Sequence, residues 1–217
     1  MKCLCIDTST SATILGLCDG HELLAEITLP SADHSAMLLD SIKTLLEFSR
    51  LELSAIDGYG IVTGPGSFTG LRIGLATIKG FHLTLKKPAV SINSLEALAR
   101  NIPQYSGIIA PVIHSRKGRV FSAIYKWNQE NLISLKSPTE IDPESLLSEN
   151  PEALVVGSAL IRQPELFKTA KAAPLSLAHT RGSVLCQMAL SKFERSDLLD
   201  LSVAEPDYVV TNVASRV

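Results

Sequence analysis

An order of elements that occurs twice is the feature that most constrains this chain. Residues 2–7 read as a strand buried on both faces, and residues 8–11 as a polar turn. A second strand (12–18), an Asp19-Gly20 turn and a third strand (21–29) follow. Next comes a helix capped by Asp33 or Ser35 and running to about Ser49. The same sequence restarts after residue 107. Residues 108–113 read as a strand, 114–118 as a polar turn and 119–127 as a strand. A turn at 128–131 leads to a third strand at 132–135, and a helix at 139–149 follows Pro138. Two lobes, each a sheet with helices, are therefore expected. The boundary falls near residues 101–106, where Pro103 and Gly107 punctuate, giving lobes of 1–103 and 104–217 with a tail that can return to the first.

The segments between the repeats complete each lobe. In the first, a strand at 57–63 leads through a glycine-rich loop into a helix at 71–85, a strand at 88–92 and a helix at 94–101. In the second, a short strand at 153–156 opens onto Gly157-Ser158 and a helix. A long helix at 180–195 and an extended stretch at 206–210 close the chain. With 217 residues, 46% apolar and 19% charged, there is material for a sizeable core.

Composition narrows the function. The opening run is short and broken by Asp7, and no other stretch reaches about 18 uncharged apolar residues. A soluble, cytoplasmic protein is expected. The four cysteines (Cys3, Cys5, Cys18, Cys186) follow no CxxC spacing, and three lie in strand-like runs. Buried reduced thiols are the plain reading, with a thiolate metal site or a disulfide as the alternative. The formal charge of −2 argues against a chain that coats nucleic acid. That sum hides an asymmetry. Nine bases and one acid, Glu96, lie between Gly64 and Trp127, a net +8. The remainder holds 11 bases and 21 acids, a net −10. A basic face for a nucleotide or RNA backbone would come from that segment, unless folding disperses it.

The loop Gly64-Pro65-Gly66-Ser67-Phe68-Thr69-Gly70 sits where backbone N–H groups can cradle an anion. It is not a P-loop, since Leu71-Arg72 stands where Lys-Ser/Thr would, and it does not fit the dinucleotide fingerprint. Glycines placed for a tight turn are the competing reading. In the helix that follows, Gly70, Gly74 and Thr77 form a small-residue stripe continued by Phe81, with an apolar stripe of Leu71, Leu75 and Ile78 beside it. A helix small or apolar on two faces is buried on two sides, one against its own sheet and the other against a neighbouring helix or a partner protein. Candidate catalysts are thin: Asp7 at a strand end, and His114, Ser115 and Arg116 in the second polar turn. No metal pair follows His34, and no nucleophile elbow appears.

The run Gly64–Gly80 (GPGSFTGLRIGLATIKG), with Ile6-Asp7-Thr8-Ser9-Thr10 and His34-Ser35, resembles the TsaB (YeaZ) family over essentially the whole chain. The resemblance implies a two-lobed α/β fold of the actin-like, sugar-kinase and Hsp70 (ASKHA) superfamily. It also implies a non-catalytic scaffold subunit in making N6-threonylcarbamoyladenosine (t6A) in tRNAs that read codons starting with A. Such a subunit pairs with TsaD, which holds the metal and does the chemistry, and TsaE joins the larger assembly. A homodimer is expected in isolation, with tRNA bound weakly or through the complex. No cofactor or metal is expected for the chain alone, with ATP or ADP at an interface with the partner. The interface falls on helices at about 34–49 and 68–85, at His34, Leu38, Ser41, Gly70, Gly74, Thr77 and Phe81. Asp7, Ser9, Gly64 and Gly66 would be a vestigial nucleotide site. The alternative is a small nucleotide-dependent ATPase or kinase. The chain departs from the family at His114-Ser115-Arg116, where Asp-Ala-Arg is common, and at Pro206–Val210, where an arginine is missing.

Overall fold

Each repeat builds one sheet. The structure is a computed structural model that describes residues 1–30, 34–116 and 118–209. In the first lobe β1 (Lys2–Asp7), β2 (Ala12–Asp19), β3 (Glu22–Pro30), β4 (Gly58–Gly64) and β5 (Ala89–Asn93) form one sheet in the order β3-β2-β1-β4-β5. β1 runs antiparallel to β2 and parallel to β4. In the second lobe β6 (Ile108–Arg116), β7 (Arg119–Asn128), β8 (Asn131–Ile141) and β9 (Leu154–Val156) lie in the order β8-β7-β6-β9. β6 likewise pairs antiparallel with β7 and parallel with β9. The two-lobed α/β architecture expected from the sequence is present, and the sheet topology itself carries the duplication.

The first sheet is covered on both faces, which is why β1 and β4 read as continuous apolar runs. Leu4 and Ile6 of β1 face α1 (His34–Phe48) and α2 (Phe68–Leu85), in a core with Leu38, Leu45, Tyr59 and Ile78. Cys3 and Cys5 face the opposite way, into a core under α6 (Gly182–Glu194) with Leu185 and Ala189. The second sheet packs α3 (Ser94–Arg100) on one face, through Leu95, Leu98 and Ala99. Its other face takes α4 (Pro143–Glu149), α5 (Ala159–Arg162) and the turn around Phe167.

These packings correct the lobe boundary. A cut at residue 103 assigns α3 to the first lobe and α6 to the second, yet each packs mainly on the other lobe's sheet. After α6 the chain stays with the first lobe. Leu199 N–H donates to Ala89 O, Asp207 N–H donates to Thr63 O, and Leu201 and Ala204 enter the α1–α2 core. Burial decides this, because a helix sits where its apolar face finds an uncovered sheet.

Two local expectations also change. Residues 114–116 are strand and belong to β6, and Gly118, in the turn just before β7, takes φ +74°. The third strand of the second lobe runs to Ile141, absorbing Ser137-Pro138-Thr139-Glu140, where a helix was expected from 139. Pro138 is tolerated there because β8 is an edge strand with an irregular register opposite Ala123. Helix α4 begins only at Pro143, where Asp142 Oδ1 accepts the Ser145 N–H at 2.9 Å.

Candidate functional site

Between the lobes lies a cleft of about 820 Å³. Ser9, Thr10, Ser11, the 65–70 loop and Ile73 line it from the first lobe. Ile113, His114, Ser115, Phe121, Ser158 and Arg162 line it from the second, and Asp207–Val209 close one side.

The two loops that would cradle a phosphate instead hold each other. Thr8 Oγ1 donates to Gly70 O at 2.7 Å, and Ser67 N–H donates to Ser9 O at 2.7 Å. A Cβ on Gly66 would stand 2.2 Å from Ser9 O, and one on Gly70 would stand 2.0 Å from Thr8 O. Gly64 takes φ +139° with the Asp207 carbonyl oxygen against it. These glycines are required by close backbone approach, the tight-turn reading of the loop. Asp7 does not reach the cleft. Its carboxylate is fully buried, with Oδ1 accepting the Ser9 N–H at 2.8 Å and Oδ2 accepting the Thr180 hydroxyl. Of the four residues expected as a vestigial nucleotide site, Ser9 and Gly66 line the cleft and Asp7 and Gly64 lie behind it.

What faces the cleft is mainly hydroxylic, with Arg162 and Asp207 as the charged residues of its lining. His114 is half-buried, and burial, together with the Arg162 guanidinium, pushes its pKa below the usual imidazole value. The ring is therefore neutral near pH 7. Ser9 Oγ is buried and has no hydrogen-bond partner. Among the described residues no group of three or more His, Cys, Asp or Glu is placed to hold a metal ion.

Most of the expected interface residues point inward. Leu38 is 1% exposed and belongs to the α1–α2 core, and buried Ser41 donates its hydroxyl to Met37 O at 2.6 Å. Gly70 and Gly74 face Thr8 and Ile61 of their own sheet, not a partner. Thr77 is half-buried with its hydroxyl on Ile73 O, and Phe81 packs against Tyr59 with ring centroids 5.8 Å apart. The His34 side chain lies outside the described residues. The physical reason is plain: the small stripe is what lets α2 approach the Thr8 turn so closely. The outward faces of the two helices are apolar at other positions. Met37 and Leu39 (57% exposed), Phe48 (81%) and Leu83 (70%) lie open. A sequence signal existed for two of them. Leu39 and Phe48 fall outside the inward track of Leu38, Ile42, Leu45 and Leu46, which one sheet face already uses.

The +8 segment does not form one basic face. Arg100 pairs with Glu96 at 2.8 Å. Arg116 and Arg119 both pair with the nearly buried Glu140, at 2.8 and 3.3 Å. Lys79 donates to Ala204 O. Arg72 lies 3.7 Å from the Phe68 ring centroid and donates to the Tyr208 hydroxyl at 3.0 Å, while Tyr208 stacks on Phe68. Sequence reasoning missed this latch of the C-terminal segment onto α2, because nothing local links residue 208 to residue 68. Lys117 lies outside the described residues. No helix among them is long and apolar enough to cross a membrane.

Comparison with known proteins agrees with this architecture. The family model for TsaD, tRNA N6-adenosine threonylcarbamoyltransferase, matches residues 23–214. The chain is 28% identical to the tRNA threonylcarbamoyladenosine biosynthesis protein TsaB of Escherichia coli K12, over 99% of this chain and 96% of that protein. It is 31% identical to the Bacillus subtilis protein of the same name, over 58% of this chain and 56% of that one. The structure of YeaZ from Pseudomonas aeruginosa superposes with a TM-score of 0.80 at 24% identity, covering 95% of this chain and 99% of that one. The chain belongs to the TsaD-type family, on the branch whose relatives carry the name TsaB or YeaZ.

Proposed function

We propose that this chain is a non-catalytic scaffold subunit in the formation of t6A in tRNAs reading ANN codons, and that it works as a heterodimer with TsaD. The observation that carries the reading is the exposure of Leu39 and Phe48 on α1 and of Leu83 on α2, large apolar side chains that the lobe's own core does not take in. Large apolar side chains left open to solvent on neighbouring helices are candidates for a protein–protein surface. The state of Asp7 supports the scaffold role, since its carboxylate is committed to Ser9 and Thr180 and does not line the cleft. The same face would hold a second copy when TsaD is absent, and TsaE would join the assembled pair. Contact with tRNA is expected through the complex, because three of the segment's nine bases are tied to Glu96 and Glu140 within the fold. The test is co-purification with TsaD followed by a t6A modification assay with each subunit omitted. Modification that proceeds at full rate without this chain overturns the proposal.

One observation favours a second reading. Ser9 and Arg162 both line the cleft beside the α2 N-terminus, and the buried Ser9 hydroxyl has no hydrogen-bond partner. ATP or ADP held there, alone or at an interface with the partner, would fit the small ATPase or kinase alternative. Calorimetric titration with ATP and magnesium separates the two. Turnover by the isolated chain supports the enzyme, and heat that appears only with TsaD present supports a shared site.

A further inference from the structure

All four cysteines of the chain converge in one core. Cys3 and Cys5 enter it from β1, Cys18 from β2 and Cys186 from α6, and all are free and buried. The Cys3 and Cys5 sulfurs are 3.8 Å apart, and the Cys18 thiol donates to the Cys3 carbonyl oxygen at 3.7 Å. Cys186 neighbours both Cys5 and Cys18, so the sulfurs close a ring. The group is not placed to hold a metal ion. Thiol–thiol chemistry is what the arrangement permits.

Register selects the pair. Cys3 and Cys18 are directly opposed in the antiparallel β1–β2 ladder. Opposed residues have Cα atoms about 4.5–5.5 Å apart and side chains on one face. That lies inside the span of about 4.4–6.8 Å that a disulfide bridges. Cys5 is two residues along β1 from Cys3, about 6.6 Å by strand rise, at the far end of that span. The two opposed thiols also differ in character. Hydrogen bonds from Cys186 and Cys3 lower the Cys18 pKa, whereas the Cys3 value is pushed up by its hydrogen bond with Cys18 and by burial. Cys18 also lies next to Asp19, at the half-buried end of β2, one residue from the surface.

We infer that Cys18 and Cys3 are an oxidation site, at which a hydroperoxide closes a cross-strand disulfide between β1 and β2. In the first step the Cys18 thiolate attacks a peroxide oxygen. The O–O bond breaks, the departing hydroxide takes up a proton, and Cys18 becomes a sulfenic acid. In the second step the Cys3 sulfur attacks the Cys18 sulfur, the S–O bond breaks, and the Cys3 proton leaves with that oxygen as water. Two thiols are oxidised to one disulfide, and one hydrogen peroxide is reduced to two waters.

The experiment treats the folded full chain with hydrogen peroxide, alkylates the remaining thiols after denaturation, and reads intact mass and a peptide map. The expected result is loss of two alkylatable thiols, a linked Cys3–Cys18 peptide, reversal by dithiothreitol, and a melting temperature raised by several degrees. Cys3→Ser should abolish the link and leave a Cys18 sulfenic acid that dimedone traps. The wild-type map decides alone if that variant does not fold. Four thiols still alkylated, oxygen addition without a bridge, or a bridge through Cys5 or Cys186 would each overturn the assignment.

Discussion

The two lobes share a strand order and differ in almost everything attached to it. Both lead strands pair antiparallel with the next strand and parallel with a later one. In the first lobe the lead strand turns through four polar residues that grip a second loop across the lobe. In the second the lead strand runs on to Arg116, and a Cβ on Gly118, just before β7, would meet nothing. Helices of 15, 18 and 13 residues cover the first sheet, whereas the second takes helices of 7, 7 and 4. The difference teaches that a duplicated topology constrains only the ladders. Turns and helices diverge because each answers to what packs against it. The first lobe's helices are the longer ones, and they also expose the apolar outer face.

The sharpest way to break this contrast is to make the same change against the first turn and beside the second. Gly66→Ala puts a Cβ against the Ser9 carbonyl oxygen and is expected to cost about 3 kcal/mol, read as a shift in the urea midpoint. Gly118→Ala meets open space and carries only its positive φ, so about 1 kcal/mol is expected. Equal losses would mean that the first turn is not held as described.

Next in size is the outer face. Phe48→Ala and Leu83→Ala are each expected to weaken binding to TsaD by about 2 kcal/mol, or about 30-fold in Kd, with the melting temperature unchanged. A matching change on the exposed edge strand of the second lobe, Leu135→Ala, should leave Kd alone. Thr180→Val removes the hydroxyl from buried Asp7 and is expected to cost about 1–2 kcal/mol of stability. A neutral result would show that the carboxylate finds another donor.

The smallest expected effect belongs to the second lobe. Burial opposes the charge on Glu140, but a hydrogen bond from Ser115 and the guanidinium groups of Arg116 and Arg119 outweigh it, and the carboxyl is held below its usual range. A lowered folded value means a stabilising contribution that is complete above the unfolded pKa and lost as pH falls through the folded one. Glu140→Gln should therefore cost up to about 1 kcal/mol near pH 7, and nothing once the pH lies below both values. Melting curves at the two pH values check the sign.

The order of elements along the chain, a helix ending at 85 and the two-lobed class were legible in the sequence, whereas that helix starts at Phe68 and not at the Leu71 expected. Also legible was the choice between a phosphate loop and a tight turn for Gly64–Gly70, which was posed correctly but not decided. The interface residues were legible only as a pair of helices. Gly70, Gly74, Leu38 and Ser41 were assigned outward, and they point inward. A helical stripe reveals that a face is buried, not what buries it, and the close approach of Thr8 to Gly70 links residues 62 positions apart.

The sequence by itself therefore determined periodicity and order: most of the strands and helices, though not the extent of β6 and β8, and that the pattern runs twice. Those follow from local spacing of apolar residues, which acts within one element. Only the tertiary structure decided which lobe holds α3 and α6, that Asp7 is spent on Thr180, and that Tyr208 latches onto Phe68 and Arg72. It also decided that four cysteines from residues 3 to 186 share one core. Each of those depends on burial between segments far apart in the chain, and no local pattern encodes it.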